Sequence, residues 1–128
     1  MPAGWRGRIV RATSLSPPAV NLANFRLPPA KDNFGNSASG RWPARAVLIT
    51  VIDWSPAAYP SLERVALPLR IRRRDFGAPL EGAPASHAFA RRSVVVGRRA
   101  LEIWVQAGTK RVTDARLRLI NRRLEGIR

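Results

Sequence analysis

The chain has 128 residues, and its 23 basic side chains against 8 acidic ones leave a formal charge of +15, while 45% of its residues are hydrophobic. That apolar content excludes a disordered basic tail and fits a single folded domain. No cysteine is present, which excludes disulfides, thiolate metal ligands and cysteine nucleophiles. The longest apolar run, residues 46–52, falls far short of the roughly 18–20 residues that span a bilayer.

Eleven prolines and nine glycines argue for many turns and against a purely helical bundle. The opening Met1-Pro2-Ala3-Gly4-Trp5 has no apolar signal-peptide core, so a cytoplasmic location is expected if Met1 is the natural start. Arginine outnumbers lysine 21 to 2. A GC-rich genome would account for that choice but not for the shortage of acids, which is the source of the net charge.

In chain order, residues 6–12 predict a strand around Ile9 and Val10. Ser14 to Pro18 form a break, and residues 20–27 (VNLANFRL) predict a second short strand ending at Pro28-Pro29. Residues 30–40 are rich in Asp, Asn, Ser and Gly and predict a long exposed loop. The run RAVLITVIDW, residues 45–54, is the strongest strand. It lacks clean alternation, as suits a central strand covered on both faces. Residues 61–69 fit either a short helix or a strand, confined by Pro60 and Pro68. A basic stretch, residues 70–74, leads into a turn-rich loop that reaches Ser86.

The last third predicts a hairpin, residues 88–96 and 99–107, joined by Gly97-Arg98. Glycine first in a two-residue turn fits type II′ geometry. Leu101, Ile103, Val105 and Ala107 share one face of the return strand, with Glu102, Trp104 and Gln106 on the other. Gly108 closes the hairpin. Thr113 then caps a helix over residues 114–125, with Asp114 in its first turn. Its stripe of Leu117, Ile120 and Leu124 faces a core. Arg116, Arg122 and Arg123 lie off that stripe. Gly126 is placed as the C′ residue, with Ile127 folding back as its hydrophobic partner.

Several pieces of this chain resemble uncharacterised proteins of actinobacteria and other high-GC bacteria. They are Gly4-Trp5, the segment Ala23-Asn24-Phe25-Arg26-Leu27-Pro28, Asp32 to Gly35, the hairpin from Val96 to Val105 with Gly108, and the helix end from Ile120 to Ile127. The resemblance implies a small α/β sandwich similar to PsbP-like domains, on or outside the membrane, and brings no catalytic residues with it. This chain departs from the pattern by its basic charge and by lacking an export signal.

Catalytic constellations are not legible. His87, the only histidine, lies among small residues and reads as an exposed loop side chain. A triad would require it beside a serine and a carboxylate, and no Gly-x-Ser-x-Gly elbow is present. Asp53 and Glu102 form a conceivable carboxylate pair on adjacent strands, although with so many arginines ion pairing is the simpler use of each acid. One histidine and no cysteine support no zinc site, and no calcium-loop spacing occurs, so no metal or other cofactor is expected. Gly35 and Gly40 have P-loop spacing, but Arg41-Trp42 stand where that motif needs Lys and Ser/Thr.

The basic clusters carry the remaining signal. Arg70, Arg72, Arg73 and Arg74, with Arg91 and Arg92, are the candidate anion-binding residues, since arginine holds phosphate or carboxylate in a bidentate fork. The alternative is that strand arginines simply solvate one sheet face. The expected structure is one α+β domain over residues 1–128, a mostly antiparallel sheet with the C-terminal helix packed on it. The expected role is that of a non-catalytic binding or accessory domain. Its arginine-rich face would meet an anionic macromolecule or, following the resemblance, a cell-envelope component. A cytoplasmic nucleic-acid- or ribosome-associated protein is the alternative, although no known nucleic-acid motif appears. A hydrolase built on His87 comes third.

Overall fold

A buried central strand and a long hairpin beside it organise the chain. A computed structural model describes residues 4–12, 17–26, 42–54, 62–77 and 85–127. Six strands form one sheet: β1 (Arg6–Val10), β2 (Ala19–Ala23), β3 (Val47–Asp53), β4 (Glu63–Arg64), β5 (Ala88–Val96) and β6 (Arg99–Ala107). One helix follows, α1 (Asp114–Leu124). The spatial order is β1-β2-β3-β6-β5-β4, antiparallel throughout except for the short parallel pairing of β4 with β5. The protein is a single-domain α+β fold, an open, mostly antiparallel sheet with the C-terminal helix packed on it.

Strand β3 lies between β2 and β6, and its residues from Val47 to Ile52 are buried on both faces. The absence of alternation in its sequence has that cause. Val47, Ile49 and Val51 of β3 and Leu101, Ile103 and Val105 of β6 point to the helix side. There they meet Ile120 and Leu124 of α1 in the main core. Each such aliphatic side chain contributes about 1.5–3 kcal/mol by leaving water. Trp5 closes one flank of this core, and its ring is stacked under the Arg123 guanidinium at 5.4 Å.

The hairpin and the helix follow their sequence signals. Gly97 has φ +60°, while no residue other than glycine has positive φ among those described. That combination fits type II′ and excludes type I′, which needs positive φ at both central positions. Thr113 caps α1 by accepting from the Arg116 N–H at 3.2 Å. Arg116 Nη1 donates to the Ala44 carbonyl at 2.9 Å and ties the start of the helix to the chain entering β3. At Gly108 the backbone of the segment before β3 comes so close that a Cβ would collide with the Pro43 carbonyl.

Two expectations need correction, and one open alternative is resolved. The second strand runs from Ala19 to Ala23 and ends before Phe25, since the Asn24 side chain takes over the pairing with 2.8 Å bonds to Val47 N–H and the Arg45 carbonyl. Leu27 and the expected loop at residues 30–40 lie outside the described residues. Of the segment 61–69, open between helix and strand, the described residues form the two-residue strand β4 at the sheet edge. Gly126 does not adopt the left-handed cap conformation. Instead α1 tightens at its end, with the Gly126 and Ile127 N–H groups donating to the Arg123 and Leu124 carbonyls. Ile127 nonetheless packs against the core.

Candidate anion-binding surface

The segment from Leu69 to Phe76 runs beside α1 and β5 with its apolar residues inward. Leu69 and Ile71 are fully buried, while Arg70, Arg73 and Arg74 are exposed. Asn121 of α1 clamps it by bonding both the N–H and the carbonyl of Ile71. Beyond this clamp the arginines find internal partners. Arg72 forks onto Asp75 through Nε and Nη2 at 3.2 and 3.0 Å, and its backbone N–H also donates to Asp75 at 2.7 Å. Burial alone would raise the Asp75 carboxyl. The bonds from Arg72 and the charges of Arg72 and Arg92 outweigh it and hold Asp75 below the usual carboxylate range. The same hydrogen bond to Asp75 raises Arg72 above its ordinary value.

Arg73 reaches across to the start of α1, where it donates to the Val112 carbonyl at 2.8 Å and to Asp114 at 2.6 Å. Arg70 lies 3.5 Å from Glu125. Arg92, its side chain only 10% exposed, pairs with Glu63 at 3.2 Å and donates to the Arg70 carbonyl at 2.6 Å. Arg72 also reaches Glu63, at 3.7 Å. Arg74 is exposed and has no ion pair among the described residues. Five of the six candidate arginines are therefore held by acids or carbonyls of the chain itself. Nor do the six form one patch, because strand alternation puts Arg91 on the opposite face of the sheet from Arg92.

The face away from α1 is unusually polar for a buried surface. Pairing registers align Arg8, Asn21, Thr50, Trp104 and Arg91 in one row across five strands. Asn21 and Thr50 are buried and share a 2.8 Å hydrogen bond. The Asn21 amide nitrogen has no partner among the described residues. In the next row Glu102 accepts from the Trp104 indole N–H and pairs with Arg91 at 3.2 Å. The Arg91 guanidinium also covers the Trp104 ring at 5.0 Å, a contact available to a flat, weakly hydrated cation. A cavity of about 270 Å³ opens beside this group, between Trp54, Ser93 and Arg91.

His87 is not an exposed loop residue. It is buried, its ring centroid 5.1 Å from Trp42 and 6.4 Å from Phe89, and its Nδ1 is 2.9 Å from the Gln106 amide. Desolvation pushes it below the ordinary histidine value. No serine accompanies it in that bond. The carboxylates Asp53 and Glu102 cannot act together either. Register places Asp53 opposite Leu101, on the helix side, while Glu102 points to the other face. Among the described residues no cluster of three metal-ligating side chains occurs and no helix is long and apolar enough to cross a membrane.

All acids in the described residues are committed. Asp32 and Glu81 lie outside them, and the other six carboxylates each pair with an arginine: Asp53, Glu63, Asp75, Glu102, Asp114 and Glu125. Cations without an acid remain on the surface. Arg118 and Arg122 stand one turn apart on the outer ridge of α1, and Lys110 and Arg111 precede it, all exposed. A shallow depression brings Lys110 and Arg111 together with Arg73, over an Asp114 that Arg73 already occupies. Composition pointed instead to the dense run at 70–74. The signal for this ridge was the four-residue spacing of Arg118 and Arg122 off the apolar stripe. Compared with family models, with curated proteins and with solved structures, the chain matches none.

Proposed function

We propose that this domain is a non-catalytic binder of polyanions, using the cationic surface formed by Lys110, Arg111, Arg118 and Arg122. One observation carries the reading: the six described carboxylates each pair with other arginines, and among the described residues none lies within ion-pair distance of these four cations. Like charges at i and i+4 cost an isolated helix a few tenths of a kcal/mol. A polyanion laid along α1 would relieve that repulsion and release its own counterions. The internally paired arginines serve the fold in this reading, and the free ones serve the partner.

Titration with heparin and with a single-stranded oligonucleotide, at about 50 and 200 mM salt, tests it. Affinity should fall steeply with salt. Replacing Arg118 and Arg122 together by glutamine should lower the slope of log affinity against log salt by about two. Binding of neither polymer at the lower salt rejects the proposal, and a slope unchanged in the double variant moves the contact surface elsewhere. Preference for the oligonucleotide over heparin would favour the nucleic-acid alternative over a cell-envelope polyanion.

A further inference from the structure

Helix α1 is too short to cover the sheet it packs on. Its 11 residues span about 16 Å at 1.5 Å each, whereas the 9 residues of β6 span about 30 Å. The start of the helix is tied to Ala44, near the beginning of β3. The opposite end of the sheet, where β3 finishes and β6 begins, is therefore left without a helix over it. Its residues remain apolar: Val20, Val51, Val96 and Leu101 form the floor of a groove of about 630 Å³.

The walls are apolar too. Ile9 from β1, Leu67 and Leu69 from the segment after β4, and Ile127 beyond α1 close around that floor. Ile9 is 77% exposed and Leu67 45%, and they are two of the three exposed large hydrophobics among the described residues. At the mouth stand Arg98 and Arg99 of the hairpin turn, with Asp53 at the end of β3. Arg99 and Asp53 are 3.6 Å apart, a loose pair, and Arg98 is exposed and paired with no acid among the described residues. The mouth therefore carries two cations to one carboxylate.

We infer that this groove binds a single-chain amphiphile with a carboxylate head, a free fatty acid in chemical class. Its volume lies within the roughly 300–1,000 Å³ of small-molecule sites, which are mostly apolar with a few placed polar groups. The alkyl chain takes the place of water against Val20, Val51, Leu101 and the exposed Ile9 and Leu67. The head meets Arg98, and one negative charge matches the one uncompensated cation. A neutral alcohol leaves that cation unmatched, and a cationic amphiphile is repelled by it. The site is separate from the ridge of α1 and does not depend on the polyanion proposal.

Calorimetric titration of the full chain with dodecanoate, below its micelle concentration, tests the assignment. Saturable one-to-one binding is expected, with dodecanol weaker by about tenfold or more, the equivalent of one charge-assisted hydrogen bond, and dodecyltrimethylammonium not bound. Arg98→Glu and Ile9→Asp alter exposed side chains, so both should fold, as thermal melts would verify, and each should weaken dodecanoate about tenfold. Replacing Arg118 and Arg122 by glutamine should leave it unchanged. Dodecanol binding as tightly as dodecanoate overturns the proposal, as does indifference to both groove variants. An equal loss in the α1 variant reduces the binding to general charge attraction. Binding only to phosphatidylglycerol vesicles, and not to monomeric dodecanoate, makes the groove a membrane contact and rejects the fatty-acid site.

Discussion

Asn121 bonds Ile71 twice: its Oδ1 accepts from the Ile71 N–H at 2.7 Å and its Nδ2 donates to the Ile71 carbonyl at 3.0 Å. A side chain of α1 thereby completes the backbone bonding of a segment that is not itself in the sheet, and holds the arginine-rich run in place. Asn121→Ala leaves a buried N–H and carbonyl unmet and should cost about 2–4 kcal/mol at the usual penalty for such groups. Asn121→Asp keeps the acceptor but loses the donor, and should fall between the two. Urea midpoints of the three proteins check the order.

Gly108 answers a steric requirement rather than a torsional one. Its N–H donates to the Ala46 carbonyl at 2.9 Å, and the Pro43 carbonyl occupies the place of a Cβ. Gly108→Ala should therefore destabilise by about 1–3 kcal/mol, the range of overpacking, although alanine restricts the unfolded chain. A thermal midpoint equal to that of the parent would contradict the close approach.

Arg74 and Arg92, both candidate anion-binding residues by sequence, carry opposite expectations. Arg74→Ala should change stability by less than about 0.5 kcal/mol, as an exposed side chain without an ion pair. Arg92→Ala removes a charge-assisted bond to the Arg70 carbonyl and the pair with Glu63, and should cost about 1.5–3 kcal/mol. Paired denaturant curves distinguish the two, and equal losses would refute the division between structural and free arginines.

Acid should weaken the fold in two stages. His87 is held below its ordinary value by burial, so the unfolded chain takes up that proton first. Stability then falls as pH drops below about 6.5. Asp75 is also held below its ordinary value. Its contribution is complete above about pH 4 and is lost as pH falls through the lower folded value. Urea midpoints measured from pH 8 to pH 2 should show both, with His87→Gln removing the upper stage and Asp75→Asn the lower.

The hairpin and α1 were legible because their signals are local. Two-residue alternation around Gly97-Arg98, and the spacing of Ile120 and Leu124 after the Thr113 cap, involve neighbours in sequence. The fate of the arginines was not. Arg73 meets Asp114 across 41 positions, and Ile71 meets Asn121 across 50, so a run of like charges looked like a free patch when its acids came from elsewhere. His87 misled for the same reason. Its small neighbours in sequence suggest exposure, while Trp42 and Gln106 bury it from other parts of the chain. The groove at the far end of the sheet had no sequence signal, because it arises from a mismatch between the lengths of α1 and β6.

The turn at Gly97 decides more than where two strands meet. With side chains alternating every residue, a slip of one position in the β5–β6 pairing would swap the faces of β6 relative to its partner. Glu102, Trp104 and Gln106 would then compete with Leu101, Ile103 and Val105 for the space under α1. A single residue without a side chain, held at φ +60°, fixes that register. Which side chains of β6 lie under α1, and which face the other way with Glu102 and Trp104, is therefore pinned at the least substituted position of the hairpin.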